Sequence, residues 1–103
     1  MTEVVIVSAA RSAVARGKAD GALAGVHPVE LSSAVMKAAI DLAGIDPAII
    51  EDVQWGCAMP EASQGLNHAR LAWLRGGFPV ETSAATVNRF CSSGLQSVAY
   101  ASQ

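Results

Sequence analysis

The stretch TVNRFCSSGLQSVAY, residues 86–100, sets a cysteine where an extended run gives way to a helix. Ala84 to Asn88 read as a strand, and a helix beginning near Cys91 continues through Leu95 and Val98. A strand that feeds directly into a helix is the repeating unit of a parallel sheet. The fold therefore turns on whether the rest of the chain repeats that unit.

It does so twice more. Residues 4–8, VVIVS, form an unbroken β-branched run, as expected of a strand buried on both faces. A long Ala- and Gly-rich stretch follows and reads as an irregular loop. Pro28 suits the first turn of a helix, because its missing N–H would be unpaired there in any case. Leu31, Val35, Ala38, Ala39 and Leu42 then share one helical face, and Gly44 ends the helix. Asp46-Pro47 caps a short helical turn. DVQWGCA, residues 52–58, alternates Val53, Trp55 and Cys57 against Gln54 and Gly56 and reads as the second strand. After a loop over residues 58–66, Asn67 caps a helix from about His68 to Arg75, and Gly76-Gly77 stops it. The expectation is an α/β fold in the order βαβαβα, with helices packed on a parallel sheet.

Composition narrows the function classes. The chain has 103 residues, room for one small domain, and is 51% hydrophobic but only 16% charged. So apolar a surface on so small a body is expected to be covered, by more of the same polypeptide or by a partner. The final helix reaches Gln103 without a stop signal, and the expectation is again a longer chain. A net charge of −2 with no basic run gives no footprint for nucleic acid. The apolar runs are too short for a bilayer span, and the opening lacks the pattern of a signal peptide, so a cytoplasmic protein is expected. Two distant cysteines with no C-x-x-C pattern argue against a disulfide framework and a metal site.

Those cysteines invite different readings. Cys57, on an alternating strand beside Trp55, fits a small buried hydrophobe. Cys91 follows a strand at the carboxyl edge of the sheet, where open α/β folds place ligands. It also opens a helix, whose unpaired N–H groups and partial positive charge favour thiolate over thiol. The helix behind it is small-sided, with Ser92, Ser93, Gly94, Ser97, Ala99, Ala101 and Ser102, so backbone can approach it closely. From position alone, nucleophile and packing residue stand as equal alternatives.

The segment VNRFCSSGLQSVAYASQ resembles the nucleophile segment of the thiolases. There a strand ending in V-N-[RK] leads to Cys, two small residues, Gly and Leu. VVIVSAARS is similar to the family's opening strand and turn. HPVELSSAVMKAAIDLAGIDP is similar to its first helix and stop, and QGLNHARLAWLRGGFPVETSAATVNRFCSSG to its next helix and third strand. The resemblance runs from Val4 to Gln103 and departs mildly at Arg11-Ser12-Ala13, where the family has Arg-Thr-Pro. It implies a thiolase-like fold, with residues 1–103 a partial N-terminal domain.

The implied activity is acyl transfer between CoA thioesters through an acyl-Cys91 intermediate. The Cys91 backbone N–H would be an oxyanion donor, and Asn88, Arg89 and Gly94 would support the segment. Gly94 is expected to permit close backbone approach. Coenzyme A is implied as substrate, with no other cofactor, and a homodimer or homotetramer as the assembly. The family's catalytic histidine and second cysteine have no counterpart here. His27 and His68 stand where helices begin and read as surface or capping residues, so the 103 residues alone are expected to be inactive. Two other readings stay open: a ketoacyl-synthase-type condensing enzyme, and a non-catalytic thiolase-like protein that binds CoA or lipid.

Overall fold

The structure, a computed structural model, describes residues 3–103. Its elements are α1 (Pro28–Ala43), β1 (Asp52–Gly56), α2 (His68–Arg75), β2 (Ser83–Val87) and α3 (Ser93–Ser102), with single 3-10 turns at Pro47–Ile49, Ala62–Gln64 and Phe90–Ser92. The two strands pair in parallel, Asp52 opposite Ser83 through Gly56 opposite Val87. Among the described residues no helix is long and apolar enough to cross a membrane.

Local signals place the helices. The His27 side chain accepts the Val29 N–H through Nδ1 at 3.1 Å, with Pro28 beside it at the start of α1. Gly44 closes α1 in the left-handed region at φ 66°, its N–H donating to Ile40 and Asp41 carbonyls. Asp46 Oδ1 accepts the Ala48 N–H at 2.9 Å and starts the first 3-10 turn. Asn67 caps α2 through the Arg70 N–H, and its Nδ2 donates to the Ala84 carbonyl at 2.9 Å. Thr86 Oγ1, in β2, donates to Asn67 Oδ1 and accepts the Ala69 N–H, so the start of α2 is tied to the sheet.

The core lies where α1 and α2 meet the sheet. Met36, Ala72 and Trp73 are buried at its centre, flanked by Val29, Ile40, Ile50, Val53, Trp55 and Phe78. The Trp73 and Phe78 rings stack with centroids 4.4 Å apart, and Trp73 Nε1 donates to the Pro79 carbonyl at 2.7 Å. Arg70 donates to the carbonyls of Val80 and Thr82, which holds the link into β2.

Two expectations are corrected. The stripe of α1 that faces the core is Val29, Ser33, Met36 and Ile40, not the Leu31–Leu42 side. Leu42 is 68% exposed. The small Ser33 decides this, because α2 ends almost upon it: a Cβ on Gly76 would stand 2.8 Å from its hydroxyl. The expected first strand also forms no ladder, and Val4, Val5, Ile6 and Val7 are exposed. A strand needs a neighbour with free edge groups, and here residues 4–6 face Gln54 and α3 across a cavity of about 450 Å³. Beyond them Ser8 is tied to α1 instead, its hydroxyl donating to the Ala39 carbonyl at 2.7 Å.

Trp73→Ala in the full-length polypeptide carrying this segment is expected to lower stability by about 3–5 kcal/mol, the usual cost of emptying a fully packed aromatic site. Chemical denaturation measures it, and a loss below about 1 kcal/mol would show that the core does not rest on this ring.

Candidate active site

The parallel pairing brings the carboxyl ends of β1 and β2 to one edge, and Cys57 N–H extends the ladder by donating to the Val87 carbonyl at 2.9 Å. From that edge residues 88–92 turn sharply into α3. Asn88 Oδ1 accepts the Phe90 N–H at 2.9 Å, the short-range turn such a side chain favours. Phe90 takes φ 49°, a left-handed conformation that costs a bulky residue about 1–2 kcal/mol. Cys91 comes next, in the 3-10 turn Phe90–Ser92, and is exposed. It thus precedes α3, which starts at Ser93, instead of lying within it.

Hydroxyls knit the turn together. Ser93 is buried, accepts the Arg89 N–H at 2.9 Å and donates to the Phe90 carbonyl at 2.6 Å. The Ser92 hydroxyl and its N–H both donate to the Arg89 carbonyl. Arg89 sends its guanidinium to Gln96 Oε1 at 2.7 Å, against the side of α3. Ser97, one turn beyond Ser93, is likewise buried and satisfies its hydroxyl on the Gly94 carbonyl at 2.7 Å. Such back-bonding lets two polar residues line the face that packs on β1 without leaving a donor unmade.

Asn88, Arg89, Cys91 and Gly94 therefore occupy one turn and the helix that follows. Nothing described lies within 4 Å of a Cβ built on Gly94, so the close approach expected there lies elsewhere. It is at Gly56, whose built Cβ would stand 2.5 Å from the Ser93 carbonyl carbon and the Gly94 nitrogen. The signal was present in the sequence, since a lone glycine in an alternating strand marks a close backbone approach. Cys57 is buried, as its strand pattern required.

The histidines divide. His27 is exposed and caps α1, but His68 is 2% exposed, which corrects its reading as a surface residue. Its Nε2 lies 2.8 Å from Ser32 Oγ on α1, and its Nδ1 is buried with no partner among the described residues. Burial, and after it the charge of His27, hold the imidazole below its usual pKa range. A proton on His68 would also face the positive end of α2.

The cysteine displayed on the turn between a parallel strand and a small-sided helix stands at the carboxyl edge of the sheet, where open α/β folds bind ligands. Comparison with known proteins then gives the family. The model of the thiolase N-terminal domain matches residues 4–103, and the chain belongs to the thiolase family. It is 48% identical to the 3-ketoacyl-CoA thiolase of Bacillus subtilis, over all of this chain and 26% of that protein. It is 43% identical to the steroid 3-ketoacyl-CoA thiolase FadA6 of Mycobacterium tuberculosis, over all of this chain and 25% of that protein. With the acetyl-CoA acetyltransferase of Cupriavidus necator the identity is 45%, over 95% of this chain and 24% of that one. The chain spans about a quarter of the length of the curated relatives it matches.

His68 makes a prediction about pH. Because its pKa is lower folded than unfolded, the unfolded chain binds the extra proton in the interval between the two values. Stability therefore falls as pH drops through the ordinary imidazole range, near pH 6.5, and is unaffected well above it. The thermal midpoint of the full-length polypeptide should fall more steeply from about pH 7.5 to about pH 5.5 than that of His68→Gln. Parallel curves would rule out His68 as the source of the slope.

Proposed function

We propose that the chain is the opening part of an acyl-CoA C-acyltransferase of the thiolase type, with Cys91 as its nucleophile. The observation that carries this reading is the exposed Cys91 on the turn from β2 into α3, inside NRFCSSGL, in a chain of the thiolase family. Relatives named for 3-ketoacyl-CoA and for acetyl-CoA agree on a CoA thioester as the substrate class.

In the degradative direction the Cys91 thiolate attacks the 3-keto carbon of a 3-ketoacyl-CoA. The bond between C2 and C3 breaks, and the electron pair leaves on C2 as the acetyl-CoA carbanion, which takes up a proton. The thiol of a second CoA then attacks the acyl-Cys91 thioester. It gives up its proton, the shortened acyl-CoA leaves, and the Cys91 thiol is restored. A covalent thioester splits one hard exchange into two easier steps. The reverse sequence is a Claisen condensation.

The residues around Cys91 suit this work. The N–H groups of Phe90 and Ser92 are taken by Asn88 Oδ1 and the Arg89 carbonyl. The Cys91 N–H between them would serve the developing oxyanion, a donor worth about 10²–10³ in rate where one has been removed. Both histidines of the segment are committed at the starts of α1 and α2. The base that takes the thiol proton and the acid that protonates the carbanion would come from the part of the enzyme beyond these residues. The complete enzyme is read as a cytoplasmic homodimer or homotetramer.

The test is intact mass and peptide mapping of the full-length polypeptide after acetoacetyl-CoA. An acetyl group on Cys91 is expected, with loss of both adduct and thiolysis in Cys91→Ala. A folded parent protein that gains no acyl group on Cys91 would overturn the reading in favour of a non-catalytic CoA- or lipid-binding protein. Residues 1–103 expressed alone are expected to show no thiolysis of acetoacetyl-CoA, and turnover by that segment would place the missing base within it.

A further inference from the structure

We propose that Gly56 is a positioning residue for Cys91: its bare α-carbon is the seat on which the start of α3, and with it the cysteine turn, comes to rest. The inference rests on the acyl-transfer reading of Cys91 and deepens it. Gly56 is the last residue of β1, opposite Val87 in the ladder, and the next residue, Cys57, is bonded to Val87 in turn. The end of β1 is therefore fixed relative to the end of β2 from which the cysteine turn departs.

A Cβ added at Gly56 would meet the Ser93 carbonyl carbon at 2.5 Å, the Gly94 nitrogen at 2.5 Å and the Ser93 carbonyl oxygen at 2.6 Å. All three are backbone atoms of the first two residues of α3. They cannot swing aside as a side chain would, so any larger residue at 56 must move the strand end or the helix start. Relief to an ordinary contact needs a shift of about 1 Å, since non-bonded carbons rest about 3.5–4 Å apart.

That shift would reach Cys91. The Ser93 hydroxyl holds the Arg89 N–H and the Phe90 carbonyl, one bond on each side of its own oxygen, so residues 89–93 form a closed knot with Cys91 inside it. Ser93 is buried, and the knot rides on the same residue whose carbonyl sits over Gly56. Gly94 has open space where a side chain would begin, and Gly17 and Gly25 do as well. Among these glycines only Gly56 couples the sheet to the nucleophile turn.

The experiment uses the full-length polypeptide. Its first arm asks whether the parent protein acquires an acyl group on Cys91 from acetoacetyl-CoA, so failure of the acyl-transfer reading is seen before any variant is made. Gly56→Ala is then compared with the parent and with Gly25→Ala, each checked for its melting transition. A misplacement of about 1 Å should lower kcat about 10²-fold with KM within about threefold of the parent, and should change the rate at which iodoacetamide alkylates Cys91. Gly25→Ala should match the parent in all three. A folded Gly56→Ala enzyme with kcat within about threefold of the parent, or a loss of kcat no greater than its loss of folded protein, would overturn the proposal. If Gly56→Ala does not fold, Ser93→Ala decides, because it adds no atoms and only unties the knot. A fall in kcat at unchanged KM supports the positioning role, and a folded Ser93→Ala enzyme with parental kcat overturns it.

Discussion

The parallel pairing of Asp52–Gly56 with Ser83–Val87 is the constraint on which the rest of the molecule depends. It gathers the carboxyl ends of both strands at one edge and fixes which residue of β1 lies beneath the chain as it leaves β2. The register is held at the other end as well. Thr82 Oγ1 donates to the Ile50 carbonyl at 2.9 Å, and Ser83 Oγ donates to Asp52 Oδ1 at 2.8 Å. A slip of one residue would turn every side chain of a strand to the opposite face. It would also put Trp55 or Cys57 where Gly56 now receives α3, and no helix could sit so close over either.

What could be read in the sequence follows from the range of each interaction. The limits of α1 and α2, the cap at Asn67 and the turn at Asp46 depend on contacts within one helical turn, and the residues announce them. The two paired strands were legible because alternation and β-branching survive without knowledge of the partner. The inward face of α1 was not, since the helix carries two apolar stripes and the one with Met36 is interrupted by Ser33. Only the arrival of α2 over that serine selects between them. Residues 4–8 show the same limit from the other side. Their composition suits a buried strand, but a ladder needs a neighbour within hydrogen-bonding reach, and a cavity of about 450 Å³ lies between residues 4–6 and Gln54 of β1.

The position of Cys91 was legible as a strand-to-helix junction, whereas its support was not. Gly94 drew attention because it follows the cysteine, but the residue that receives the close contact is Gly56, 35 positions earlier than Cys91 in the chain. Contacts between elements that distant are set by topology and leave only a faint mark in sequence, here a glycine in a strand where a side chain would be expected. His68 is a parallel case. Its place as the first residue of α2 suggested a surface cap, yet tying α2 to β2 through Asn67 and Thr86 carries that helix start inward, and His68 meets Ser32 instead of water.

Cys57 and Cys91 show how one residue type is given two environments by backbone alone. Cys57 continues β1 along the ladder and is enclosed, so its thiol is removed from reagents by packing. Cys91 follows a phenylalanine held at positive φ, and that reversal turns the chain outward before α3 begins. The strain at Phe90, about 1–2 kcal/mol, is offset by two hydrogen bonds made in this conformation, Asn88 Oδ1 on its N–H and the Ser93 hydroxyl on its carbonyl, each worth about 1 kcal/mol. The parts that hold the thiol in place are thus short side chains and backbone, with few rotamers to fix. A long polar side chain doing the same would lose more conformational freedom on ordering and leave more play at the sulfur. The start of α3 rests on the bare α-carbon of Gly56, so the thiol of Cys91 is exposed while the turn that carries it is held by backbone and short side chains, the kind of preorganisation that the proposed covalent step requires.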